Sequence, residues 1–172
     1  MKTYAVALGF LVMMVGACGG GGSVKDSGMN DVADSEAVGP SGIEPGAGVH
    51  VSDFAVTLGA SADDVVDVLG APSRVLELSA QGQRRLEWSA DGLIVVRDAT
   101  GAIAAIEVLP PFSGSTGAGL ALDIARSTAD TLPYDFVREP FTGAFIDRSH
   151  GIGLVWEGDK VARVLVFPAT GQ

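Results

Sequence analysis

A single cysteine in 172 residues leaves this chain unable to form an intramolecular disulfide, so burial and hydrogen bonding must hold whatever fold it adopts. Basic residues are scarce too. Eleven Lys and Arg stand against 21 Asp and Glu, a formal net charge of −10, and Arg84-Arg85 is the nearest thing to a basic patch. Such a surface repels phosphate, which removes nucleic acid from the expected partners. Histidine occurs only at His50 and His150, without further ligands at metal-site spacing, so neither a metal nor another cofactor is expected. Asp63, Asp64 and Asp67 have a simpler role, because carboxylates in the first turn of a helix complement its dipole. No Gly-x-Ser-x-Gly elbow occurs, and Glu87 and Glu107 form a carboxylate pair only if sheet register juxtaposes them. The chain is therefore not expected to be an enzyme.

Long apolar runs are missing as well. The longest, Tyr4 to Val15, covers about a dozen residues, short of the roughly 20 that a membrane-spanning helix needs. With Lys2 ahead of it, residues 1–17 read as an export signal. Val15-Gly16-Ala17-Cys18 then resembles a bacterial lipobox, in which an aliphatic and two small residues precede the cysteine. That resemblance implies a diacylglyceryl group on the Cys18 thiol, cleavage before it, and a mature protein that is lipid-anchored without a transmembrane helix. Two or three acyl chains anchor durably where one is marginal, since each buried methylene contributes about 0.8 kcal/mol. Gly19 after the cysteine, in place of Asp, points to the outer membrane, facing the periplasm.

Residues 18–50 combine Gly, Ser, Asp, Glu and Pro without apolar periodicity and read as the lipidated cysteine followed by a disordered tether. Residues 51–172 read as the folded part, with an internal repeat over about 54–111 and 118–168. In it, Ile103, Ile106 and Val108 align with Val161, Val164 and Val166, and Asp91-Gly92 with His150-Gly151.

Local patterns define the unit. Ser61 is an N-cap, and Ala62, Val65, Val66 and Leu69 recur at helical spacing before Gly70 and Pro72 end the run. A second, thinner helix is expected over about 124–132, closed by Pro133. Arg84 to Ser89 alternates, Asp91-Gly92 makes a hairpin turn into Leu93 to Arg97, and Asp98 to Gly101 turns again into Ile103 to Val108. Trp88 and Trp156 continue apolar alternations and read as core. The fold expected is α+β: two tandem helix-plus-antiparallel-meander repeats sharing one sheet, after a disordered tether.

Leu69-Gly70-Ala71-Pro72, the helix before it and the Trp88 strand and Gly-led hairpin after it resemble small bacterial lipoprotein domains of the SmpA/OmlA (BamE-like) type. The tandem arrangement is similar to the β-lactamase inhibitory protein. These resemblances imply non-enzymatic envelope proteins that act by binding other proteins, either in envelope assembly or as a membrane-tethered inhibitor of a periplasmic hydrolase; the alternative from a different class is an enzyme with a site between the repeats. The expected partners are thus the membrane, through Cys18, and another envelope protein. The candidate binding face is the polar side of the sheet, carrying Arg85, Glu87, Arg97, Glu107, Arg138 and Arg163.

Overall fold

The computed structural model describes residues 42–79 and 82–170; the export signal, Cys18 and most of the expected tether lie outside them. Three short strands open the described chain: β1 (Gly42–Glu44), β2 (Gly48–Val51) and β3 (Phe54–Thr57). The helix α1 (Ala62–Leu69) follows where its periodicity requires. The Ser61 side chain accepts a hydrogen bond from Asp63 N at 3.2 Å, satisfying one of the orphan amides of the first turn, and Gly70 leaves the helix at φ +79°.

Next comes an antiparallel meander of β4 (Arg74–Glu77), β5 (Arg84–Trp88), β6 (Leu93–Arg97) and β7 (Ile103–Val108). The remaining elements are β8 (Ser115–Thr116), the helix α2 (Arg126–Ala129), β9 (Val137–Arg138), β10 (Phe145–Asp147), β11 (Ile152–Glu157) and β12 (Lys160–Val166). They assemble into two sheets. Eight strands run in the order β4-β5-β6-β7-β12-β11-β10-β9, and four in the order β3-β2-β1-β8. The wide sheet is thus two meanders joined along β7 and β12, where Val108 faces Val164, Glu107 faces Leu165 and Ile106 faces Val166.

This architecture overturns the α+β expectation of helix-plus-meander repeats on one sheet. The described residues are mostly β, with 43% strand against 9% helix, and they form a second sheet. One reason lies in α2, which lasts four residues instead of the nine expected over 124–132. Its N-cap position is Ala125, with no side-chain oxygen to offer. Thr131 turns its hydroxyl back onto the Thr128 carbonyl at 2.7 Å, and Pro133 bars continuation. The other reason lies in residues 42–57. Their apolar residues come in runs too short to stand out among glycines, yet Ile43, Val49, Val51 and Val56 are all buried. Residues 42–50, expected to belong to the tether, are therefore part of the folded region, and His50 sits on β2.

One hydrophobic core lies between the layers. Leu86, Trp88, Leu93, Val95, Ile103, Ile106, Val108, Ile152, Leu154, Val161, Val164 and Val166 line the inner face of the wide sheet. Ile43, Val49, Val51 and Val56 of the narrow sheet, Ala62 and Val65 of α1, Leu120, and Ala129 of α2 join them in the same cluster. Each fully buried side chain of this size contributes about 1.5–3 kcal/mol.

The turns entering β6 and β11 are built alike. Gly92 has φ +62° and Gly151 φ +66°, and a Cβ on either would strike a backbone carbonyl, that of Leu109 or that of Phe167. No helix among the described residues is long and apolar enough to cross a membrane.

Candidate interaction face

Strand alternation gives the wide sheet an outer face, and register aligns one row of it across all eight strands. The row runs Arg74, Glu87, Ile94, Glu107, Leu165, Gly153, Ile146, Val137. Its first half is charged around a single isoleucine and its second half is apolar. Beside it lie Leu76, Arg85, Val96 and Ala105 in one neighbouring row, and Arg163 opposite Val155.

Of the six residues expected on one face, four meet there. Arg85 Nε lies 3.1 Å from Glu87 Oε1, though without the alignment of a hydrogen bond, and a terminal Arg85 nitrogen lies 3.6 Å from Glu107 Oε2. Arg163 reaches the same Glu107 oxygen at 3.5 Å. Because Arg85 is on β5 and Glu107 on β7, the guanidinium must cross β6, and this covers Ile94. That explains why Ile94 is only 4% exposed on a face that no described element packs against. Glu107, 14% exposed, is the hub of the network.

The other two expected residues are elsewhere. Arg97 falls on the inner side, opposite Arg84 and Ile103, at the same parity as Leu93 and Val95. Its Nε is buried without a hydrogen-bond partner. Arg138 faces Phe145, at the end of the inner row that contains Trp88, Leu93, Val108, Val164 and Leu154. The apolar end of the outer row runs into an open cleft of about 410 Å³, lined by Val137 and Ile146 with Asp135, Glu139 and Arg148 at its rim. Arg148 and Glu139 pair across it at 2.8 Å.

A polar cluster that the sequence did not announce sits at the turn between β10 and β11. The Asp147 carboxylate is 2% exposed. It accepts hydrogen bonds from Ser149 Oγ (2.6 Å), Ser149 N (3.0 Å), His150 N (3.2 Å) and Asp135 N (2.8 Å), and its Oδ2 lies 2.7 Å from His150 Nδ1. Burial alone would raise its pKa. The donors, led by the Ser149 hydroxyl, outweigh that and hold the carboxyl far below the usual carboxylate range. Ser, His and Asp so close together invite comparison with a nucleophile relay. In such a relay the serine meets the ring nitrogen opposite the one facing the carboxylate. Here Ser149 Oγ lies 3.1 Å from Nδ1, the same atom that faces Asp147. The cluster is therefore a clasp that fixes the turn and ties it to the segment before β9. Its sequence signal is Asp-x-Ser-His-Gly, an aspartate positioned to cap its own turn.

Two further charged features are local. Asp98 accepts from Thr100 Oγ1 at 2.6 Å, which chiefly lowers its pKa, and from the amides of Thr100 and Ala102, closing the turn before β7. Among the described residues no three His, Cys or carboxylate side chains converge as a metal site would require. No family model, curated protein or solved structure matches the chain.

Proposed function

We propose that this chain is a lipid-anchored protein of the bacterial cell envelope that works without catalysis, by binding another envelope protein. The observation that carries the binding role is the outer face of the wide sheet. It is broad and half apolar, no described element covers it, and its charges lie together as a connected Arg85-Glu87-Glu107-Arg163 network. An antiparallel sheet tolerates one solvated face, and a partner with apolar and charged groups in register would find this one preorganised. The anchoring role rests on the order of Lys2, the apolar run and Val15-Gly16-Ala17-Cys18.

Anchoring is tested by metabolic labelling with a fatty acid and fractionation. The wild-type chain should carry the label and sediment with membranes, whereas Cys18→Ser should carry none and be released. A soluble, unlabelled wild-type chain would remove the anchor from the proposal. Binding is tested by crosslinking in intact cells followed by partner identification, and recovery of no specific adduct would remove that half.

A further inference from the structure

The hairpin that joins β9 to β10 holds one aromatic side chain wholly in solvent. Phe141 is 97% exposed, whereas the other large exposed apolar side chains among the described residues, Val68, Val75, Leu78 and Val137, range from 50% to 64%. Val137 precedes it on β9, and Pro140 beside it is exposed as well. A single exposed apolar residue is ordinary, but a cluster of them marks an interaction site. The turn that carries the cluster is closed. Gly143 N donates to Glu139 O at 3.0 Å and Glu139 N to Ala144 O at 2.7 Å, Ala144 N donates to Thr142 Oγ1 at 3.3 Å, and Arg148 binds the Glu139 carboxylate at 2.8 Å. Phe141 is the middle residue of this turn at 139–143, so its ring is presented from a fixed place.

Two observations say what covers it. The first is the other end of the chain. Gly42, where the described fold begins, is the 24th residue after Cys18, and a chain of that length extends to at most about 85 Å. A fold held by a lipid on Cys18 therefore stays beside the membrane, where contact with the bilayer is an intramolecular event at high effective concentration. Under that condition a phenylalanine and a valine suffice for docking, which from free solution they would not. The second observation is charge. The chain is −10 overall, yet over residues 135–148 the surface charges cancel, Asp135 and Glu139 against Arg138 and Arg148, with Asp147 buried. Arg138 is exposed next to the turn and makes no ion pair among the described residues. An exposed aromatic with an arginine beside it suits a bilayer interface, the ring at the acyl boundary and the guanidinium among the phosphates.

We propose that the turn at 139–143 is a second membrane contact, in which Phe141 inserts at the acyl boundary of the phospholipid leaflet that holds the anchor and Arg138 meets a headgroup phosphate. The proposal rests on the anchoring role above and adds how the fold sits on the membrane. Val137 widens the inserted edge. With β9 and β10 seated on lipid, Glu107 on β7 lies four strands away, about 19 Å at the usual strand spacing. Arg85 and Glu87 on β5 lie farther still, so the charged half of the outer face stays open to a protein.

The test uses the full chain in the cells that make it, with a photo-crosslinking benzoylphenylalanine placed at Phe141, at the exposed Val75 of β4, or at the exposed Ala55 of β3. The expected result is a phospholipid adduct from position 141 at least about tenfold above those from 75 and 55. With the crosslinker at Val137 instead, Phe141→Ser should cut the lipid adduct at least about fivefold, while Phe141→Trp keeps most of it. Arg138→Glu should cut the adduct from position 141 about threefold or more, and Arg138→Lys should leave it. Because the Phe141 side chain is almost fully exposed, Phe141→Ser should not move the thermal unfolding midpoint, which separates docking from folding. In a chain that carries the fatty-acid label, adducts to protein only, lipid adducts equal at all three positions, or no adduct from 141 would overturn the membrane contact and leave the anchor standing. A chain without the label loses the anchor, and the contact falls with it.

Discussion

The guanidinium of Arg126 lies 4.6 Å from the ring centroid of Trp156 and 5.5 Å from that of Phe145, so one cation at the start of α2 roofs two aromatic rings on β10 and β11. The rings themselves meet edge to face at 6.3 Å. The stack holds a helix of only four residues, too short to persist by its own hydrogen bonds, against the wide sheet. Arg126→Ala should therefore cost about 1 kcal/mol and expose the indole. The readouts are urea unfolding and a red shift of tryptophan emission, and unchanged emission would show that the cation does not shield Trp156.

Asp147 should make stability acid-sensitive. Its carboxyl is depressed in the folded state, so its contribution is complete above the unfolded value near 4 and declines as pH falls from there toward the folded value. Asp147→Asn removes the charge while keeping the shape, and should cost about 2 kcal/mol at pH 7. Denaturant midpoints at pH 7 and pH 3 should converge between wild type and variant. A constant gap would mean that the carboxylate charge is not what the clasp uses.

Gly151 and Gly143 separate crowding from backbone strain. Both have positive φ, +66° and +71°, but a Cβ at 151 would strike Phe167 O and Gly46, whereas one at 143 meets nothing within 4 Å. Gly143→Ala should cost about 1 kcal/mol. Gly151→Ala should cost at least about 2 kcal/mol more, because the turn between β1 and β2 must move away. Thermal melts of the two variants make the comparison.

Glu107 neutralises both Arg85 and Arg163. Glu107→Gln should lower stability by about 1 kcal/mol at low ionic strength, with a smaller loss in high salt because the Arg163 side of the network is 45% exposed and screened. Unfolding in 20 mM and 1 M salt, concentrations set for the test at roughly 20 Å and 3 Å screening lengths, distinguishes this from a packing effect, which salt would leave in place.

Much of the local structure could be read directly. Ser61, the 3.6-residue spacing through Leu69 and Gly70 define α1 to the residue, and alternation with Asp91-Gly92 places β5 and β6. Alternation also contained the correction for Arg97, which shares parity with Leu93 and Val95 and so belongs on the inner side. Arg138 offered no such signal, because a two-residue strand has no period. The strands β1 to β3 were hidden for a related reason. Their burial depends on what lies across from them, and three or four residues are too few to show a pattern.

The sequence by itself determined the capped helix, the tight turns and the alternating strands, since each depends on neighbours a few residues away. Only the tertiary structure decided that β7 pairs with β12, that a second sheet closes the core, that Arg85 reaches across Ile94 to Glu107, and that β4 is left as an edge. Those outcomes depend on contacts between residues tens of positions apart. Which strand finds which partner is a competition among whole faces, settled by the burial of all of them together, and no local spacing encodes its result.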